Sequence, residues 1–214
     1  MNDKIAIVSS RRALRVAAAA ALAALALGGC AAVVVGGAAV GTAMVVTDRR
    51  TAGVQLEDQN IELKSLTRIR ETVGERGHVN ATSYNRMVLL TGEVPSEADR
   101  SALEQSITKI ENVRSTVNEL AVMGPSSMTA RSNDTILTSK VKASFIDAKD
   151  LHANAVKVVT ERGVVYLLGR VTEREANRAT ELARGVPGVQ KVVKVLEILT
   201  EAELAALGSE NKKN

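Results

Sequence analysis

Val79-Asn80-Ala81-Thr82-Ser83-Tyr84-Asn85-Arg86-Met87-Val88-Leu89-Leu90-Thr91-Gly92-Glu93-Val94 aligns without a gap, 77 residues on, with Val156-Lys157-Val158-Val159-Thr160-Glu161-Arg162-Gly163-Val164-Val165-Tyr166-Leu167-Leu168-Gly169-Arg170-Val171. Both stretches are rich in β-branched and aliphatic residues on either side of a short polar pair, the pattern of a β-hairpin. In the second copy Arg162-Gly163 supplies a turn with an easy positive φ. The first copy uses Asn85-Arg86, where Asn tolerates that conformation and Arg does so poorly. Gly92 and Gly169 fall inside strands and mark a close approach, expected here from a crossing helix.

Working outward, each hairpin is followed by an amphipathic segment. The first runs from Ser96 to Ile110 with Ala98, Leu103, Ile107 and Ile110 as its apolar stripe. The second runs from Glu173 to Gly185 with Ala176, Ala179, Leu182 and Ala183. A β segment comes next in each case, Val113 to Val122 and Val189 to Leu199, the second entered through a Pro187-Gly188 turn. Ahead of each hairpin lies another helix. Asp58 to Val73 would bury Leu63, Leu66, Ile69 and Val73, and Asp134 to Asp147 would bury Leu137, Val141 and Phe145, with Ser144 and Ala148 on the same face. The chain is therefore α+β, with two tandem αββαβ units, each a three-stranded mixed sheet packed against two helices. The units are expected over residues 56–123 and 133–200. Gly124-Pro125-Ser126-Ser127 opens a linker over 124–132, and a short helix from Glu201 to Leu207 plus a polar tail from Ser209 fills 201–214.

The N-terminus reads differently. Lys4, Arg11, Arg12 and Arg15 precede an apolar run from Val16 to Leu27, the charged and hydrophobic regions of a secretory signal. That run ends in Leu27-Gly28-Gly29-Cys30, which resembles a bacterial lipobox. The resemblance implies removal of a signal peptide over 1–29 and a diacylglycerol and an N-acyl chain carried covalently on Cys30. The residues at 31 and 32 are both Ala, so the Asp that retains lipoproteins in the inner membrane of enterobacteria is absent, and the outer membrane is expected, facing the periplasm. An Ala/Val/Gly-rich tether fills 30–55. Several acyl chains anchor firmly because each buried methylene contributes roughly 0.8 kcal/mol.

Composition excludes several functions. The chain carries a formal +4, but residues 1–29 hold four basic and one acidic side chain, so 24 basic remain against 23 acidic, a formal +1. The three aromatics, Tyr84, Phe145 and Tyr166, are too few for a nucleic-acid stacking platform. With one Cys and two His, a structural zinc site lacks ligands, so neither a metal site nor any other cofactor is expected. His78 and His152 fall in loops entering the hairpins. No nucleophile and base stand together, and Glu173 and Glu175 read as charges favouring a helix N-terminus. No catalytic residues and no enzyme activity are expected.

The repeat as a whole, with its V-x-V-x-x-x-x-G-x-V-x-L-x-G-x-V hairpins, resembles a pair of BON domains, the small envelope-associated module of bacteria. The likeness is carried further by Ser132-Asn133-Asp134-Thr135, Lys140-Val141 and Val171-Thr172-Glu173-Arg174-Glu175-Ala176. It implies a monomeric, noncatalytic lipoprotein that supports outer-membrane integrity, binds anionic phospholipid through its second BON domain and gathers at the division site. Opposite the core stripe of the helix from Asp134, Ile136, Ser139, Lys142, Ala143 and Ile146 share a face with Lys140 at its edge. Aliphatics beside ammonium groups suit insertion among acyl chains under lipid phosphates. Where lipoproteins of this kind carry Trp, this chain has Ile136, so an interfacial aromatic is missing. The matching face of the first helix, Glu62, Lys64, Thr67, Arg68 and Glu71, is mixed in charge, and only the second domain is expected to meet the membrane. The other expectation is an adaptor that binds a periplasmic or outer-membrane protein, such as a peptidoglycan hydrolase regulator or an assembly factor.

Overall fold

A computed structural model describes residues 48–210. The signal region, Cys30 and most of the Ala/Val/Gly run lie outside the described residues. Helix α1 spans Ala52–Thr72, capped by the Thr51 hydroxyl, which accepts the Val54 N–H. It starts well ahead of the expected Asp58, and so takes in residues that composition assigns to the tether. Strands β1 (His78–Tyr84) and β2 (Met87–Val94) form the first hairpin, α2 (Glu97–Thr108) follows, and β3 (Ser115–Val122) returns parallel to β2.

The second unit repeats the plan with α3 (Met128–Asp147), β4 (Val156–Glu161), β5 (Val164–Thr172), α4 (Glu173–Arg184) and β6 (Lys191–Leu199). Helix α3 begins at Met128 after the Ser127 cap, so five of the nine residues of the expected linker are helical. Helix α5 covers Glu201–Glu210 and reaches past the expected end at Leu207. His78 opens β1 and so belongs to a strand, not a loop.

Both hairpins close through two consecutive residues at positive φ, Asn85 (52°) and Arg86 (63°) in one, Arg162 (51°) and Gly163 (72°) in the other. Arg86 accepts this unfavourable conformation because a carboxylate rewards it. The two oxygens of buried Asp58, on α1, take the N–H groups of Asn85 (2.8 Å) and Arg86 (2.7 Å). Asp134 on α3 does the same for Arg162 and Gly163, both at 2.8 Å. Each hairpin tip is thereby pinned to the helix that precedes it.

The first core gathers Ile61, Ile69, Val73, Val88, Leu90, Leu103 and Ile107, and the second gathers Leu137, Val141, Phe145, Val165, Leu167, Ala176 and Ala179. The stripe of α1 departs from expectation. Its buried residues are Asp58, Ile61, Ser65 and Ile69, while Leu63 (63% exposed) and Leu66 (45%) face solvent. Ser65 is tolerated inside because its hydroxyl donates to the Ile61 carbonyl at 2.7 Å. Ala98, expected in the stripe of α2, is exposed, being one turn too early to reach the sheet. The close approaches at the strand glycines come from a backbone carbonyl and not from a helix. A Cβ on Gly92 would strike the carbonyl of His78, and one on Gly169 that of Ala155.

The sheet faces that carry no helix pack on each other. Tyr84, Leu89, Tyr166, Leu168 and Val195 are buried there, bordered by Val117, Val159 and Val193. The result is four layers, helices outside and two sheets within. Polar bonds frame the seam. Asn85 (2.7 Å) and Arg114 (2.9 Å) donate to Glu197, Lys157 meets Glu62 at 3.1 Å, and Asn80 donates to buried Glu161 at 3.2 Å.

Replacing Asp134 by Ala leaves two N–H groups at a buried turn without their charged acceptor. Each charge-assisted bond contributes roughly 1.5–3 kcal/mol, so Asp134→Ala is expected to lower unfolding stability by about 3 kcal/mol. In urea titrations the midpoint should fall with little change in slope.

Candidate functional site

Asp134, bonded to the turn of the second hairpin, sets the rotation of α3. Leu137, Val141 and Phe145 bond it to the sheet, which leaves Ile136, Ser139, Lys140, Lys142, Ala143 and Ile146 all exposed, Ile136 at 54% and Ile146 at 73%. The six do not form one patch. Lys142 and Ile146 turn toward the β4 flank, where they line a shallow hollow with Asp48, Arg50, Tyr84 and Lys157. Ile136 and Lys140 border a second hollow with Asn133, Arg162 and Gln190. Ala143 and Lys140 sit at the groove between α3 and α4. Because the helix starts early, Met128 (72% exposed) adds an apolar side chain at its N-terminal end.

The first of these hollows is lined by Asp48 and Arg50, which with Arg49 between them sequence reasoning missed. Asp48, Arg49 and Arg50, immediately ahead of α1, are bonded to both domains. Arg49 makes a bidentate pair with Glu175 at the start of α4, both bonds 2.7 Å, and donates to the Arg170 carbonyl at 2.8 Å. Arg50 pairs with Asp48 and with Asp58, and its guanidinium lies 4.0 Å from the centre of the Tyr84 ring. A compact charge triplet at the end of a long apolar run is the signal that could have found them.

These contacts retune the groups involved. Burial opposes ionisation of Glu175, yet the Arg49 bonds and the Thr172 N–H overcome it and hold the carboxyl down at about 2. The same Glu175 closes a capping box with Thr172, so it serves the helix start as well as the ion pair. Burial pushes the Tyr84 hydroxyl up to about 12, with Asp48 adding to the shift. Burial also lowers His78, helped by Arg131, whereas His152 is exposed.

Among the described residues, no group of three His, Cys, Asp or Glu side chains is placed to hold a metal ion. No described helix is long and apolar enough to cross a membrane. Cys30 lies outside the described residues.

Comparison with known proteins bears on the repeat directly. The family model described as the BON domain matches residues 57–124 and 133–200. The chain is 40% identical over 160 residues to the outer membrane lipoprotein DolP of Haemophilus influenzae, covering 73% of this chain and 82% of that one. It is 30% identical over 151 residues to a 21 kDa hemolysin of Actinobacillus pleuropneumoniae, covering 70% and 78%. It is 30% identical over 117 residues to osmotically-inducible protein Y of Escherichia coli, covering 53% and 58%.

The Glu175 carboxyl titrates lower in the folded chain than in the unfolded one, so its contribution to stability is complete above about 4.5 and is lost as pH falls toward about 2. Thermal unfolding across that range should show a falling midpoint in the native chain and a flatter profile in Glu175→Gln. Arg49→Ala leaves Glu175 buried and unpaired and is expected to cost roughly 3 kcal/mol at neutral pH.

Proposed function

Because the chain belongs to the BON-domain family, with both of its repeats matched, we propose that it is an outer-membrane lipoprotein, acylated on Cys30, facing the periplasm, whose second BON domain binds anionic phospholipid and helps to maintain the membrane. The observation that carries this reading is the exposed face of α3. Ile136 and Ile146 stand free of the core while Lys140 and Lys142 project beside them. Aliphatic side chains that find no partner in the folded chain gain by leaving water for acyl chains, and ammonium groups near them gain from the negative potential of an anionic leaflet, roughly 1 kcal/mol per Lys near the surface.

The root of the tether supports the same reading. Asp48 shares a hollow with Lys142 and Ile146. Cys30 stands 18 residues earlier, a span of at most ~65 Å when extended. The acyl chains are thus within reach of the face that would use them. The short tether also supplies a high local concentration of bilayer, so a weak surface contact suffices. The role is read as noncatalytic, with a place at the division site as its finest expectation.

A second reading, an adaptor for another envelope protein, is favoured by the groove between α3 and α4. It is lined by Ala143, Leu182, Val186 and Pro187 and rimmed by Lys140 and Arg178, a shape that accepts a ridge of side chains as readily as a lipid tail.

The deciding measurement is sedimentation of residues 45–214 with vesicles. Binding is expected to phosphatidylglycerol or cardiolipin vesicles and not to phosphatidylcholine. Ile146→Asp should reduce the bound fraction at least tenfold, and a joint Lys140→Glu, Lys142→Glu variant should remove the preference for anionic lipid. Recovery of an envelope protein by a variant that never binds lipid would transfer the assignment to the adaptor. In cells, Cys30→Ala should move the chain from the membrane fraction to the soluble periplasm.

A further inference from the structure

The membrane-contact reading above places lipid on the second domain alone, and the side-chain geometry of α1 extends it. The two domains lie face to face, and the bond from Lys157 to Glu62 joins them at the edge where β1 and β4 lie. On α1, Glu62 accepts from Lys157 of β4 (3.1 Å) and from the Ser83 N–H of β1 (2.8 Å). On α3, the Thr138 hydroxyl bonds Thr160 of β4 at 2.7 Å. Each helix therefore turns one flank toward the edge formed by β1 and β4.

Four residues along a helix advance the direction of a side chain by only about 40°. Leu66 follows Glu62 by four residues and Lys142 follows Thr138 by four, so both stand on the edge-facing flank of their own helix. Ile146 is one turn beyond Lys142. Leu63 lies about 60° further round α1 than Leu66 and is its exposed neighbour. With Asp58 and Asp134 bonded alike to their hairpin turns, residues 76 apart in sequence hold corresponding places, and Leu66 matches Lys142 while Leu63 matches Ser139. The first domain thus carries aliphatic side chains where the second carries candidate lipid contacts, although its charge pattern alone suggested otherwise.

We propose that the lipid-contacting surface spans both domains along this edge, with Leu66 of α1 entering the same bilayer as Ile146 of α3. The inference rests on the membrane reading of α3. Its occupant is the lipid surface itself, and the place where the tether arrives argues for that. Asp48 and Arg50 line the same hollow as Lys142, Ile146 and Lys157, so the described chain begins at this edge, 18 residues after Cys30. Lys142 is one turn before Ile146, and the Lys157 ammonium meets Glu62, one turn before Leu66. Leu56 and Leu63, both exposed and seven residues apart, point within about 20° of each other, opposite the core of their helix, and are excluded from the surface.

The test uses the full acylated chain in vesicles of phosphatidylethanolamine and phosphatidylglycerol. Acylation consumes the thiol of Cys30, and the chain has no other cysteine, so a single introduced thiol can be labelled specifically with an environment-sensitive fluorophore. Leu66→Cys and Ile146→Cys are expected to give emission at shorter wavelength than Ala98→Cys on α2, and to be quenched by nitroxides on the acyl chains. A label at Leu66 that stays in water while the one at Ile146 enters lipid overturns the two-domain surface and leaves the second-domain reading intact. Labels that both stay in water overturn the two together. As an independent check, Leu66→Asp should weaken binding of residues 45–214 to anionic vesicles several-fold without altering the thermal midpoint, since Leu66 is outside the core. Unchanged binding in that variant also overturns the proposal.

Discussion

Everything in each repeat is organised by one carboxylate. A two-residue hairpin turn exposes two N–H groups that strand pairing cannot satisfy, and a helix packed on the sheet needs something to fix its position along the strands. Asp58 and Asp134 meet both needs at once. The cost of burying a charge is offset by two short bonds from backbone donors, and in the first domain also by the Ser83 hydroxyl and the Arg50 guanidinium. With the helix held at that residue, nearly two turns in from its cap, its rotation follows, and with the rotation, the choice of which side chains are core and which meet solvent.

That dependence explains what could and could not be read from the sequence. The hairpins, the αββαβ order and the stripe of α3 were legible, because Leu137, Val141 and Phe145 are apolar where the helix touches the sheet. The stripe of α1 was not. Two of its four buried positions are Asp58 and Ser65, so hydrophobic periodicity drifts onto Leu63 and Leu66, which are exposed. The remedy was present in the chain. Asp58 and Asp134 stand 76 residues apart, and aligning the helices on them places Ser65 opposite Val141. The candidate face on α3 was legible as a set of exposed residues but not as a shape, since its division between two flanks depends on what lies beside the helix. The pairing of Arg49 with Glu175, 126 residues away, had no local signature.

The seam between the sheets shows how a chain with three aromatics builds two domains and an interface. Phe145 fills the second core, and both tyrosines are committed to the seam. Elsewhere the interior is aliphatic, and small residues such as Ala176, Ala179 and Ala183 let α4 lie close to its sheet. Polar groups inside the seam are met unevenly. Glu93 is fully buried, takes the Ser126 N–H on one oxygen, and faces Arg162 at 3.8 Å with the other. Burial raises the neighbouring Glu161 above the ordinary carboxylate range, and the charge of Glu93 adds to that. The seam is therefore held by its apolar centre, with its charges specifying register more than strength.

The bond between Arg49 and Glu175 also determines how force enters the molecule. Arg49 precedes the first domain in the chain but grips the second. A pull along the tether is delivered to α4 and, through Arg50 and Asp58, to α1 in parallel, so neither domain bears it alone. A protein moored at one end to a moving membrane would keep its two repeats in register for as long as those two ion pairs hold.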